Sequence, residues 1–150
     1  MRVRPAREEE TPRIVELIHL GDIAGRGSEQ PGPPFPEAYY AAFRDVRAAP
    51  NQEVYVAELD GQVVGTFQLA ILANLSNIGR RVAQIESVHV AAEWRSHGIG
   101  EQMLRWAIAE GRRQGCFRLQ LTSDRRRTDA HRFYERLGFV NSHVGMKLTL

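Results

Sequence analysis

The chain has 150 residues, 43% of them hydrophobic, and a mass of 17.0 kDa, which suits one compact domain over 1–150 with a single core. Lys and Arg number 20 against 18 Asp and Glu, so the formal charge of +2 and the pI near 9.0 do not point to a nucleic-acid surface. Met1 to Arg13 is charged without an apolar run of signal-peptide length, no segment approaches the roughly 20 apolar residues of a membrane span, and the one cysteine, Cys116, excludes an intrachain disulfide and a cysteine-based zinc site. The expectation is a cytoplasmic protein without a membrane or nucleic-acid partner.

Arg2 to Pro5 predicts a short strand. Glu8, Glu9, Glu10 and Thr11 then sit where acidic residues favour the first turn of a helix through Leu20, whose apolar face is Ile14, Leu17 and Ile18. Gly21 to Pro36 contains Gly21, Gly25, Gly27, Gly32, Pro31, Pro33, Pro34 and Pro36, a composition that excludes regular structure and reads as a long functional loop. Tyr39, Tyr40, Phe43 and Val46 recur at helical spacing from Pro36 to about Ala48. From Glu53 to Leu72 the period changes to two around Asp60-Gly61, the signature of a hairpin.

Asn74 to Arg81 predicts a turn and Val82 to Ala91 a strand. Gly98 to Arg113 reads as a helix striped by Ile99, Met103, Leu104, Ala107 and Ile108, with Gly115 just past its end. Phe117, Leu119 and Leu121 make a strand, Asp129 to Leu137 a helix, and Phe139 to Leu150 one or two closing strands. The order β-α-α-β-β-β-α-β-α-β implies an α+β (mixed α/β) domain around one sheet.

Three segments carry chemistry. Arg95-Ser96-His97-Gly98-Ile99-Gly100 lies between a strand and a helix. Glycines there remove side chains where backbone N–H groups at a helix start approach an anion, toward which the helix dipole points its positive end. The same glycines also fit a loop that merely needs their backbone geometry. In the preceding strand Ile85 is apolar at an odd position, whereas Val88 and Val90 are apolar at even ones; a β-bulge near Ser87 produces that slip, and a strand buried on both faces is the other reading. In Ala130 to Phe139 a short helix ends at Gly138, with Phe133 and Leu137 on its stripe and Tyr134 beside it, in the place of a core-edge tyrosine or of a catalyst.

Together, from about Gln84 to Phe139, these segments resemble the GNAT acetyltransferase superfamily, with the N-terminal helices and hairpin in the order that family has. The resemblance implies one central, mostly antiparallel sheet with a bulged, splayed strand, helices on both faces, and acetyl-CoA as co-substrate. It implies that the loop Arg95, Ser96, His97, Gly98, Ile99 and Gly100 holds the CoA pyrophosphate, that Ser87, Val88, His89 and Val90 pair with pantetheine, and that Tyr134 is the acid toward the leaving thiolate. Many members carry an asparagine with a cofactor contact three positions before the alanine aligned with Ala130; here that residue is Arg127. The stretch from Thr128 through His143 looks particularly like aminoalkylphosphonate N-acetyltransferases. That likeness supports a small amine acceptor without carrying the phosphonate over, since the N-terminal half is less similar.

Acetyl transfer also needs a neutral amine. Glu86, an acidic residue in an otherwise apolar strand, is the candidate base, directly or through water, and partial burial would make it more basic; a solvent-facing or salt-bridged glutamate is the alternative. A backbone N–H near Val88 is placed for the developing oxyanion. The five histidines show no metal-ligand spacing, though His89 and His131 lie where either could assist proton transfer. Cys116 reads as a small hydrophobe. Arg125-Arg126-Arg127 fits the 3′-phosphate of CoA or, as arginine runs more often do, a solvated turn. The leading reading is acetylation of a small-molecule primary amine, followed by acetylation of a protein N-terminus or lysine, and, from another class, a non-catalytic acyl-CoA-binding regulator. A homodimer is expected from the resemblance and the aromatic-rich region around Phe139.

Overall fold

A computed structural model describes residues 1–22 and 29–150, which form two compact units, Met1–Gln120 and Leu121–Leu150. In the first, β1 (Arg2–Pro5), β2 (Gln52–Leu59), β3 (Gln62–Leu72) and β4 (Arg81–Val90) pair antiparallel in chain order, and β5 (Cys116–Leu121) follows β4 as the one parallel neighbour. The Asp60-Gly61 turn has φ of 50° and 78°, the left-handed pair that a two-residue hairpin demands. Between β3 and β4 lies the expected turn, whose short segment α3 (Ser76–Gly79) carries Asn77 and Ile78 at left-handed φ of 55° and 62°.

The period-two pattern of β2 divides two layers. Val54 and Val56 face α1 (Thr11–Leu20) and α2 (Glu37–Ala48), where Ala6, Ile14, Phe43 and Val56 form a buried cluster extended by Ile18, Val54 and Val63. Tyr55 points the other way, its ring centroid 5.3 Å from Phe67 and 4.6 Å from Trp106 of α4 (Ile99–Arg113). Phe67, Met103 and Leu104 are fully buried, and removing each such side chain from water contributes about 1.5–3 kcal/mol. A Cβ on Gly65 would stand 2.6 Å from the sulfur of Met103, so glycine there lets α4 lie close on the sheet.

A charged cluster joins β1, β2 and the first helical turn. Arg4 donates to Glu10 at 2.6 and 2.9 Å and to Glu58 at 2.6 and 2.9 Å, while the Arg7 backbone and side chain each donate to Glu10 at 2.8 Å. Burial pushes the Glu10 carboxyl up, but the hydrogen bonds from Arg4 and Arg7 outweigh it and hold the pKa at about 2. Because this folded value lies below the unfolded one, the stabilisation is complete above about pH 5 and is lost as pH falls toward 2. Glu10→Gln is therefore expected to lower stability at pH 7 by on the order of 3 kcal/mol, leaving Arg4 without its main partner. The difference from the parent should shrink as urea melts are repeated down to pH 2.5; an equal difference at both pH values would assign the effect to packing instead.

The stretch Gly21 to Pro36 is described in part, and the positions of Gly25 and Gly27 lie outside the described residues. At its far end the Gln30 N–H donates to the Tyr39 hydroxyl at 2.8 Å, and Phe35 stacks on Tyr39 with centroids 5.1 Å apart.

The second unit contains α5 (Thr128–Arg136), ended by Gly138 at φ 92°. The closing strands expected over Phe139 to Leu150 do not form: residues 139–150 have no regular structure, and the order ends on α5. Val144, Met146, Leu148 and Leu150 do alternate, yet they are 85–111% exposed. Alternation stabilises a strand only through cross-strand partners and a buried face, and this segment, weakened by Asn141, Ser142 and Gly145, has neither among the described residues.

Candidate active site

The slip read from the strand is a β-bulge. Gln68 pairs with Glu86 and Thr66 with His89, so Ser87 and Val88 together oppose Phe67 alone, and Ser87 takes a left-handed φ of 52°. Such a φ is uncommon for a residue with a side chain, and strained backbone of this kind collects at functional sites. The bulge frees backbone groups from the β3 ladder and turns the strand past it. His89 then faces the end of α1: a Cβ built on Gly21 would lie 1.9 Å from His89 Nδ1, so the imidazole packs on bare backbone where the long loop begins. Val90 is half-buried, and its carbonyl accepts from Arg95 Nε at 3.3 Å.

After a 3-10 turn (Ala92–Trp94) the chain passes Ser96 at φ 63° and Gly98 at φ 77° into α4. Gly98 is needed for this conformation rather than for room, since a Cβ there would meet only Gln102 Nε2, at 4.0 Å. Among the described residues no side chain caps α4. Its first N–H groups, which have no intrahelical partner, therefore sit at the positive end of a helix of 15 residues, an arrangement suited to a phosphate. His97 Nδ1 donates to the Arg95 carbonyl at 2.8 Å and its ring meets Trp94 edge-on at 5.8 Å, fixing the loop from within. These groups fit the diphosphate of CoA.

Glu86, which directly precedes the bulge, is exposed, the solvent-facing alternative of the two that the sequence left open. Its Oε1 accepts from Gln84 Nε2 at 2.7 Å, and Gln84 Oε1 accepts from Gln120 Nε2 at 2.8 Å. This line of amides orients the carboxylate. Sequence reasoning passed over both glutamines, although Gln84 stands two positions before Glu86, on the same side of a strand.

In the second unit, Tyr134 is half-buried between Phe133 and Phe139, with ring centroids 5.3 and 5.7 Å away. Burial raises the pKa of its hydroxyl and the charge of Arg127 pulls it partly back, so it carries its proton at neutral pH, as a donor must. His131 Nε2 donates to the Asp124 carbonyl at 3.0 Å. Arg126 pairs with Asp124 at 2.6 Å, which makes the arginine run a turn at that position. Arg127 differs from its neighbours: its Nε is buried, as is Ser123 Oγ, and neither has a hydrogen-bond partner among the described residues. Ser123 was not visible as a site residue, since a lone serine before a basic turn gives no periodic signal. Cys116 is half-buried, and burial pushes its thiol up, unlike a nucleophile. Among the described residues no group of three or more His, Cys, Asp or Glu side chains could hold a metal ion, and no helix is long and apolar enough to cross a membrane.

A strand opened by a bulge, running within a few residues into an uncapped helix start, defines an α+β domain built to hold an anionic cofactor beside free strand backbone. The chain belongs to the Acetyltransferase (GNAT) family, whose model matches residues 22–139, and its acetyl donor is acetyl-CoA. It is 37% identical over 111 residues to the aminoalkylphosphonate N-acetyltransferase of Salmonella typhimurium, covering 71% of each chain. It is 30% identical over 142 residues to glucosamine 6-phosphate N-acetyltransferase 1 of rice, covering 91% of this chain and 84% of the relative. A crystal structure from Bacillus halodurans C-125, described as a transcriptional regulator, superposes with a TM-score of 0.94 at 36% identity over 99% of both chains.

Proposed function

We propose that residues 1–150 act as one N-acetyltransferase domain on the primary amine of a small molecule, by direct attack of the amine on the acetyl group. The observation that carries this reading is the Ser87 bulge lying just before the uncapped amino end of α4. The two enzymes similar over most of their length are named for small amines, each bearing a phosphonate or a phosphate.

In this reading the N–H groups from Ser96 to Gly100 hold the diphosphate, with Arg95 and His97 shaping their loop, and the freed backbone of Ser87 to Val90 holds the pantetheine arm. Acetyl-CoA supplies the activated acyl group. Glu86 takes the proton of the ammonium, directly or through water, the Val88 N–H faces the oxygen on which negative charge develops, and Tyr134 gives its proton to the departing sulfur. The compartment that fits is the cytoplasm, where acetyl-CoA is made available to such enzymes.

The likeness to a structure described as a regulator keeps a non-catalytic acyl-CoA-binding reading as the rival. Thiol release from acetyl-CoA over a panel of aminoalkylphosphonates, amino-sugar phosphates, amino-sugars and peptides separates them. Turnover is expected with at least one small amine and not with peptides. Acetyl-CoA at a hundred times its Kd should add about 2.7 kcal/mol of stability, seen as a rise in Tm. A rise in Tm without turnover would favour the regulator, peptide turnover a protein acceptor, and no rise in Tm would remove the cofactor site.

A further inference from the structure

The second unit contains two polar atoms that its fold leaves unused. Ser123 Oγ and Arg127 Nε are buried without partners among the described residues, which native folds seldom leave so. Arg127 precedes α5, and its carbonyl accepts from the His131 N–H at 3.0 Å, so it begins a helical face that continues through His131 to Tyr134, one and two turns on. Of the charged groups nearby, Arg126 is engaged with Asp124 at 2.6 Å, Asp129 with Arg132 at 3.5 Å, and the His131 ring with the Asp124 carbonyl. Arg127 is thus the positive charge of this face that is spent on no ion pair among the described residues.

We propose that Arg127 is a positioning residue for the leaving group, its guanidinium holding a fixed positive charge beside the Tyr134 hydroxyl where the CoA sulfur departs. The inference rests on the reading of Tyr134 as the acid. In the step, the amine nitrogen forms a bond to the acetyl carbon and the carbon–sulfur bond breaks with its electron pair on sulfur. The nitrogen's proton goes to Glu86 or water, and the Tyr134 proton goes to sulfur, to be replaced from solvent. A thiol titrates near 8.5 and a tyrosine near 10, so a buried tyrosine alone gives its proton to a thiolate uphill. A neighbouring cation stabilises both anions of that exchange, the thiolate before transfer and the phenolate after it.

The test compares the affinities of CoA and acetyl-CoA by calorimetry from pH 6 to 10, using the whole chain and no turnover. CoA has an ionisable thiol and acetyl-CoA has none. In the parent, CoA is expected to gain on acetyl-CoA as pH rises, starting about one pH unit below the titration of the free thiol, a gain of about tenfold. Arg127→Gln should abolish that gain while leaving acetyl-CoA affinity within about twofold, and Arg127→Lys, which keeps the charge, should retain most of it. A Gln variant with the parent's pH profile would overturn the proposal. So would a parallel loss of both ligands, which would place Arg127 on another part of CoA. Failure of the parent to bind either ligand would sink the cofactor reading itself, and this inference with it. A loss of Tm equal in Arg127→Lys and Arg127→Gln, with CoA profiles unchanged, would mark a purely structural residue.

Discussion

Tyr134→Phe is expected to lower the single-turnover rate of acetyl transfer by about 10²–10⁴-fold, the range of general acid catalysis, with acetyl-CoA affinity nearly unchanged. One oxygen is removed, and the ring keeps its contacts with Phe133 and Phe139. The direction follows from the site's electrostatics, since burial keeps the hydroxyl protonated at neutral pH and thus able to donate. Single turnover matters because the CoA thiolate is a fair leaving group, and product release or amine deprotonation can mask the step. The amine should be supplied at a pH where much of it is already neutral. A rate within about twofold of the parent, far short of that range, would mean that solvent or His131 supplies the proton and that Tyr134 is a core-edge tyrosine.

Gly100→Val is expected to weaken CoA binding by about 10- to 100-fold and to leave the unfolding midpoint nearly unchanged. Gly100 lies in the first turn of α4, where valine is a slightly better helix former than glycine, by a few tenths of a kcal/mol. Helix propensity therefore costs folding nothing, whereas a branched side chain at the helix start displaces a phosphate from N–H groups worth about 1.5–3 kcal/mol for each charged hydrogen bond lost. Gly98→Val supplies the contrast. At φ 77° a side chain is strained, so this variant should lose stability by about 1–2 kcal/mol as well as affinity. If Gly100→Val folds and binds CoA like the parent, the diphosphate is held elsewhere.

Much of this was legible in the chain because it is local. The Asp60-Gly61 turn, the strands beside it and the stripe of α4 follow from side-chain period and turn chemistry, which depend on near neighbours only. The bulge was legible for the same reason: shifting one residue moves every later side chain to the other face, and the parity of Ile85, Val88 and Val90 records that shift. The alternation of Val144, Met146, Leu148 and Leu150 shows the limit of this signal. It has the local form of a strand and forms none, because pairing and a buried face come from distant parts of a fold. The tertiary structure alone decided that Glu86 is exposed and aligned by Gln84 and Gln120, and that His89 packs on the backbone of Gly21. It alone showed that Arg127 and Ser123 hold buried polar atoms without partners among the described residues. Burial and hydrogen bonding are sums over residues brought together from afar, so no window of sequence contains them. The chain by itself determined its family and most of its secondary structure up to α5; the exposure and hydrogen bonding of its candidate side chains were set by their neighbours in space.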